Sequence, residues 1–252
     1  FPLLQDGLKT TSWCSTLFLL ASTYDQDMHA NPNNPSATNG TDQAWGGNRA
    51  RPDLVKKFFP TGNVPNLESY ATAEAAGDDR ALFCGVNRTL DNDDVSTFKS
   101  GFAVAKFTNF KTDGSAGHDA TFPDADFFLM RAAEAYLNFA EADARLNGGE
   151  TTAEGTAAIN AIRKRANAST RPEDKSYSLN DICDEWSREF YFEGRRRMDL
   201  IRFNRYGGNV NYNWQWKGGT KEGRNFSKDL NIFAIPTNEL TSNKNLIQNP
   251  GY

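Results

Sequence analysis

Only two histidines occur in 252 residues, His29 and His118, and they stand far apart in loop-like stretches. No H-E-x-x-H pair, Gly-x-Ser-x-Gly elbow or phosphate-cradling glycine motif accompanies them, which removes the usual histidine-metal, serine-hydrolase and nucleotide-binding chemistries. Cysteine is as scarce. Cys14, Cys84 and Cys183 are odd in number and in no metal or redox spacing, so no disulfide framework is expected, and Cys183 reads as a small core hydrophobe. The longest apolar stretch, Leu17 to Ala21, falls far short of the ~18 residues of a membrane-span candidate. Nor is there an excess of positive charge: 28 Lys and Arg stand against 32 Asp and Glu, and outside Arg195 to Arg197 the basic residues are scattered. No nucleic acid is expected as a partner. The chain opens without Met, a basic leader or a lipidation cysteine, and is expected to begin inside a longer protein or after processing.

What is present is a globular chain, 38% hydrophobic, with its densest signal over residues 185–203. Leu179, Ile182, Cys183, Trp186 and Phe190 recur at helical spacing and define one buried face, and Ser178 with Asp181 has the form of a capping box. Glu185, Arg188, Glu189, Glu193, Arg196, Arg197, Asp199 and Arg202 lie among aromatic and aliphatic residues. Two readings compete: a solvated helix with pairs one turn apart, or an ion-pair network on a partly dry surface. The aromatic density favours the second. Acids beside arginines are held ionised, which opposes a general-acid role, so Arg188, Glu189, Glu193, Arg196, Asp199 and Arg202 are expected to be structural.

Elsewhere the pattern alternates between short elements and polar loops. Residues 14–23 read as a buried strand, and 24–51 as a long turn-rich loop containing Trp45. Pro52 starts a short helix, Gly77 closes another over 66–76, and residues 102–107 read as a strand. A long helix is expected from Asp124 or Asp126 to Gly148, with Phe128, Ala132, Ala135, Tyr136, Phe139, Ala142 and Leu146 on its packed face. A second follows, opened by Thr151 and Glu154 and carrying Ile159, Ile162 and Ala166. Together they form a tetratricopeptide-type pair. Residues 206–219 return to aromatic-rich loop, and 232–235 read as a strand.

Three segments carry a resemblance. Arg188-Glu189, Phe192-Glu193-Gly194, Arg196, Asp199-Leu200 and Arg202 resemble the "RE..FEG.R..DL.R" run of the SusD/RagB family, surface glycan-binding lipoproteins of Bacteroidetes. Ala133-Glu134, Ala140-Glu141-Ala142, Asn160, Ile162-Arg163 and Arg165-Ala166 are similar to its helical motifs, and Ile235-Pro236, Glu239 and Gln248-Asn249-Pro250-Gly251-Tyr252 to its ending. The resemblance implies the C-terminal portion of a mainly α protein, with a tetratricopeptide-like pair, long irregular loops and a few short strands. Residues 1–123 would form a loop-rich ligand side, 124–203 a helical core and 204–252 a loop, short strand and tail. It further implies a non-enzymatic glycan-binding protein at the outer-membrane surface. A lipid anchor outside this chain would hold it there, beside a SusC-like TonB-dependent transporter as partner. A helical scaffold binding peptide or protein ligands is the alternative.

The family's shared motifs contain no glycan contacts, so site residues are chosen by chemistry. Sugars take flat aromatic rings against their C–H faces and Asn, Asp, Arg or Gln for their hydroxyls. Trp45 with Tyr24, Asp42, Asn48 and Arg49 fits, and Trp214 with Trp216 forms a second candidate. The alternative for each ring is that it anchors its own loop. Oxygen-rich residues 25–42 could hold Ca²⁺, but their spacing is not that of an EF-hand, and no metal or cofactor is expected.

Overall fold

A computed structural model describes residues 1–29 and 38–252, and the protein is mainly helical. The chain forms two compact units, Phe1–Glu193 and Gly194–Tyr252. Among the described residues no helix is long and apolar enough to cross a membrane.

The first unit begins with β1 (Pro2–Leu3), then α1 (Thr16–Ala21) and α2 (Gln26–His29). The strand expected over 14–23 is therefore a helix. An unbroken apolar run looks the same to periodicity in either state, and burial decides: Leu17, Leu20 and Ala21 face inward while Phe18 is exposed. Ser22 and Thr23 close the helix by donating their hydroxyls to the carbonyls of Phe18 and Leu19. Next come α3 (Pro52–Lys56), with Pro52 in its first turn, and α4 (Ser69–Ala76), stopped by Gly77 at φ 59°.

β2 (Phe83–Cys84) and β3 (Ala103–Val104) pair antiparallel, so the strand expected over 102–107 is only two residues long. Ala50, Val55, Phe58, Ala81, Phe83, Phe102, Val104 and Tyr191 pack around that ribbon as one core cluster. Gly85 is required there, because a Cβ would lie 2.6 Å from the Phe102 ring.

β4 (Phe127–Phe128) pairs with β1, and α5 (Ala132–Leu146) starts only after it. The expected caps work elsewhere: Asp124 accepts from the amides of Gly7 and His118, and Asp126 from that of Gln5. The buried face also differs from the expected stripe. Leu137, Ala140, Glu141 and Ala144 point inward, whereas Tyr136, Phe139 and Leu146 are exposed. Glu141 belongs to that inward face because the fully buried Trp186 donates its indole N–H to Glu141 Oε2 at 3.1 Å. An acid was thus drawn into the face that hydrophobicity alone leaves outside.

α6 (Ala153–Arg165) packs on α5 as the expected hairpin, with Thr152, one residue beyond the expected Thr151, as its cap. α7 (Leu179–Phe190) begins with the Ser178–Asp181 capping box and buries Ile182, Cys183, Trp186 and Phe190. It does not run on to residue 203. Phe192 and Gly194 adopt φ 61° and 76°, a left-handed turn that ends the first unit.

The second unit holds α8 (Arg196–Arg202), two 3₁₀ turns and α9 (Thr237–Ser242). The strand expected over 232–235 is not formed among the described residues. Side chains of the tail take the place of a neighbouring strand: Gln248 exchanges two hydrogen bonds with the backbone of Ile235, and Asn249 donates to the Phe233 carbonyl. Tyr252 donates its hydroxyl to the Ile232 carbonyl at 2.8 Å.

Candidate functional site

Trp45 is fixed by backbone rather than by burial. Its amide donates to the Ala21 carbonyl at 2.8 Å, Gly46 donates to Tyr24 at 2.7 Å, and Gly47 and Asn48 both donate to Ser22. The loop's base is equally determined: the fully buried Asn39 donates to the carbonyls of Leu20 and Gln43 and accepts from Thr41. Gly46, at φ 63°, lies against the Phe98 ring, where a Cβ would meet it at 3.5 Å.

Upon this frame the Trp45 indole is 41% exposed and Phe18 47%. Their ring centroids are 6.4 Å apart and the planes tilted by 60°. The indole N–H donates to Gln43 Oε1 at 3.0 Å, and the Gln43 amide donates to Asp42 Oδ1 at 2.8 Å. Thr121 donates its hydroxyl to the same exposed carboxylate at 3.0 Å. The result is a pre-oriented ring beside an amide and a carboxylate, an arrangement suited to a ligand with an apolar face and a hydroxyl rim.

The other residues expected beside Trp45 fall differently. Tyr24 is 1% exposed and packs with Met28, Cys84 and Ala103 as core, supporting the loop from beneath. Asn48 donates its amide to Ser22 Oγ at 3.0 Å, and the Arg49 guanidinium lies 5.9 Å from the Phe98 centroid. Both are half-buried. Phe18 and Gln43, which join the platform, were not singled out from sequence. The exposed position of Phe18 within a helix could have signalled it; the strand reading concealed that.

Of the oxygen-rich residues 25–42, positions 30–37 lie outside the described residues. At the start of that stretch Asp25 pairs with Arg88 at 2.8 Å and Lys99 at 3.0 Å, and burial of its carboxyl is outweighed by these donors, which hold its pKa low. Among the described residues Asp6, His118 and Asp124 place metal-type atoms within 4.8 Å of one another. Their oxygens already serve the loop: Asp124 accepts from Gly7 and His118, and Asp6 pairs with Lys9 at 3.1 Å.

Trp214 and Trp216 belong to the second unit and are half-buried. Trp214 stacks on Tyr206 at 6.2 Å and 20°, and the buried Lys217 ammonium lies 4.9 Å from its centroid. Lys217 in turn donates to the Tyr212 carbonyl at 2.7 Å. One face of Trp214 is therefore used to hold its own loop.

The charged residues of 185–199 divide between the units. Glu185, fully buried, accepts from Arg80 at 2.8 Å and from Arg163 and Arg188 at 2.7 Å. Glu189 accepts from Arg131 and Arg165 at 2.7 Å and from Arg80 at 3.1 Å. Glu193 pairs with Arg131 at 2.8 Å and with Lys106. Burial pushes the Glu185 carboxyl upward, yet the Arg188, Arg80 and Arg163 guanidiniums outweigh it and bring it to about 2. Glu189 is also held low, burial again being overcome, first by Arg131. Neither can keep a proton to give to a leaving group near neutrality. In the second unit the buried Asp199 faces Arg202 at 2.9 Å, yet burial there outweighs the arginines and raises its carboxyl pKa above the usual range, contrary to the expectation that it is held ionised. Arg196 donates to the Tyr212 hydroxyl at 2.5 Å. Sequence reasoning missed Arg80, Lys106, Arg131, Arg163 and Arg165, which reach the cluster from up to 109 residues away. Two of them stood in view, Arg163 and Arg165 in a helical motif.

Comparison with known proteins adds three findings. A family model described as the SusD family matches residues 70–252. The chain is 35% identical over 282 residues to the starch-binding protein SusD of Bacteroides thetaiotaomicron, aligned over all of this chain and 48% of that protein; it thus spans about half the relative's length. Among solved structures it is similar to a SusD-like protein from Bacteroides fragilis, with TM-score 0.59 and 18% identity over all of this chain and 53% of the other. A second from the same organism, a SusD superfamily protein, gives TM-score 0.54 and 18% identity over 100% and 51%.

Proposed function

We propose, from the premise that this chain belongs to the SusD family, that it binds glycan chains on the face built around Trp45. The carrying observation is the half-exposed Trp45 on a loop held by backbone hydrogen bonds, its indole N–H fixed on Gln43, with Phe18 and Asp42 beside it. Rigid rings lose little entropy on capture, and a fixed carboxylate and amide give direction to hydroxyls. The starch-binding relative supports a polysaccharide ligand. The Trp214–Trp216 loop has the lesser part, since one Trp214 face is already occupied. In the whole protein we place this activity at the outer-membrane surface, on a lipid-anchored polypeptide that passes glycan to a TonB-dependent transporter. The buried acids hold the fold and perform no hydrolysis.

Calorimetric titration with linear α-1,4 and β-1,3 glucan oligosaccharides tests this reading. The chain is expected to bind one series, and Trp45→Ala to lose about tenfold or more in affinity with an unchanged melting temperature. Binding of peptides but of no saccharide, or release of reducing ends, would overturn it.

A further inference from the structure

We infer that Asn147 is a site of spontaneous covalent modification, its side-chain amide converting through a cyclic imide to aspartyl and isoaspartyl forms that loosen the turn between α5 and α6. The chain holds two Asn-Gly pairs, Asn39-Gly40 and Asn147-Gly148. A following glycine permits the reaction, because no Cβ shields its nitrogen or narrows its backbone angles. The fold treats the two pairs oppositely. Asn39 is fully buried, its Nδ2 donating to the carbonyls of Leu20 and Gln43 at 2.9 and 3.0 Å and its Oδ1 accepting from the Thr41 amide and hydroxyl, both at 3.0 Å. Gly40 is packed as closely, since a Cβ there would lie 2.9 Å from the Asn109 backbone. Asn147 and Gly148 are exposed at the end of α5, and nothing lies within 4 Å of where a Gly148 Cβ would be. Among the described residues the Gly148 amide donates to no group; the helix is closed by the next amide, Gly149 donating to the Ala144 carbonyl at 2.8 Å.

The chemistry needs only solvent. The Gly148 nitrogen, its proton taken by hydroxide, attacks Asn147 Cγ; the bond from Cγ to Nδ2 breaks, and ammonia leaves as the imide ring closes. Water then opens the ring at either carbonyl, giving an aspartate with the original peptide link or an isoaspartate linked through its side chain. In sum a water is consumed and an ammonia released. Before the change, Asn147 Nδ2 donates to the Asp143 carbonyl at 2.7 Å and to Asp143 Oδ1 at 3.2 Å. Afterwards a carboxylate stands in its place, facing the Asp143 carboxylate and the negative end of the α5 dipole. Asp143 also holds the next helix, accepting from the Thr152 amide at 2.7 Å and the Thr152 hydroxyl at 2.9 Å. Repulsion at position 147 is thereby passed to the cap of α6.

Incubating the intact chain in mildly alkaline buffer tests this, with mass-spectrometric peptide mapping to locate each amide-to-acid conversion and isoaspartyl methyltransferase labelling to quantify isoaspartate. A synthetic peptide spanning residues 143–152 sets the time scale. Conversion at Asn147 with Asn39 unchanged is the expected result. Asn147→Gln, whose longer side chain closes the ring poorly, should abolish the isoaspartyl signal. Asn147→Asp, which mimics one product, should melt below the fresh wild-type chain. An Asn147 amide that survives after the peptide has fully converted, or conversion of Asn39 at an equal rate, overturns the site. Melting of Asn147→Asp at the wild-type temperature overturns the effect on the turn.

Discussion

Glu185→Gln offers the sharpest probe of how this fold is held. The change keeps the side chain's shape, so no cavity forms, and removes one charge from a group that Arg80, Arg163 and Arg188 share. Arg80 retains Asp78 at 2.7 Å, and Arg188 the Lys57 carbonyl at 3.1 Å, but none regains the lost carboxylate. Breaking a buried ion pair from one side costs about 3–5 kcal/mol. The depressed Glu185 carboxyl implies a similar figure. A carboxyl lowered from 4.5 to about 2 favours the folded state by roughly 3 kcal/mol once both states are ionised. Because the folded value is the lower one, that contribution is whole above pH 4.5 and drains away as pH falls toward 2. Urea unfolding at pH 7 should therefore show the variant's midpoint lowered by about 1 M or more. The gap between the two proteins should narrow steadily below pH 4.5. An unmoved midpoint, or a gap indifferent to acid, would show that these arginines are adequately solvated and the network contributes nothing.

Three further substitutions test local claims. Gly85→Ala drives a methyl into the Phe102 ring and should lower stability by about 1–3 kcal/mol, whereas Gly62→Ala, with open space around it, should be neutral by the same urea assay. Trp214→Ala should lower the melting temperature through loss of its Tyr206 and Lys217 contacts, yet leave glycan affinity within about twofold, as calorimetry would record.

What could be foreseen followed from local chemistry. The Ser178–Asp181 box, Pro52 and Gly77 mark their helix ends, and each signal is satisfied by atoms a few residues away. What could not be foreseen depended on distant partners. β4 displaced the start of α5 because residues 127–128 pair with residues 2–3. Glu141 lies buried on that helix because Trp186, 45 positions on, needs an acceptor. α1 hid inside an apolar run that carries no period of its own. Trp45 was legible as an aromatic ring in a polar loop, but Phe18 needed the helix to reach its side.

The central claim is that Trp45 presents a sugar platform. A crystal structure of this chain soaked with the oligosaccharide it binds is its most direct test. A sugar ring lying parallel to the Trp45 indole, with hydroxyls on Asp42 or Gln43, is the predicted result. Saccharide found elsewhere, with Trp45 bare, would contradict it.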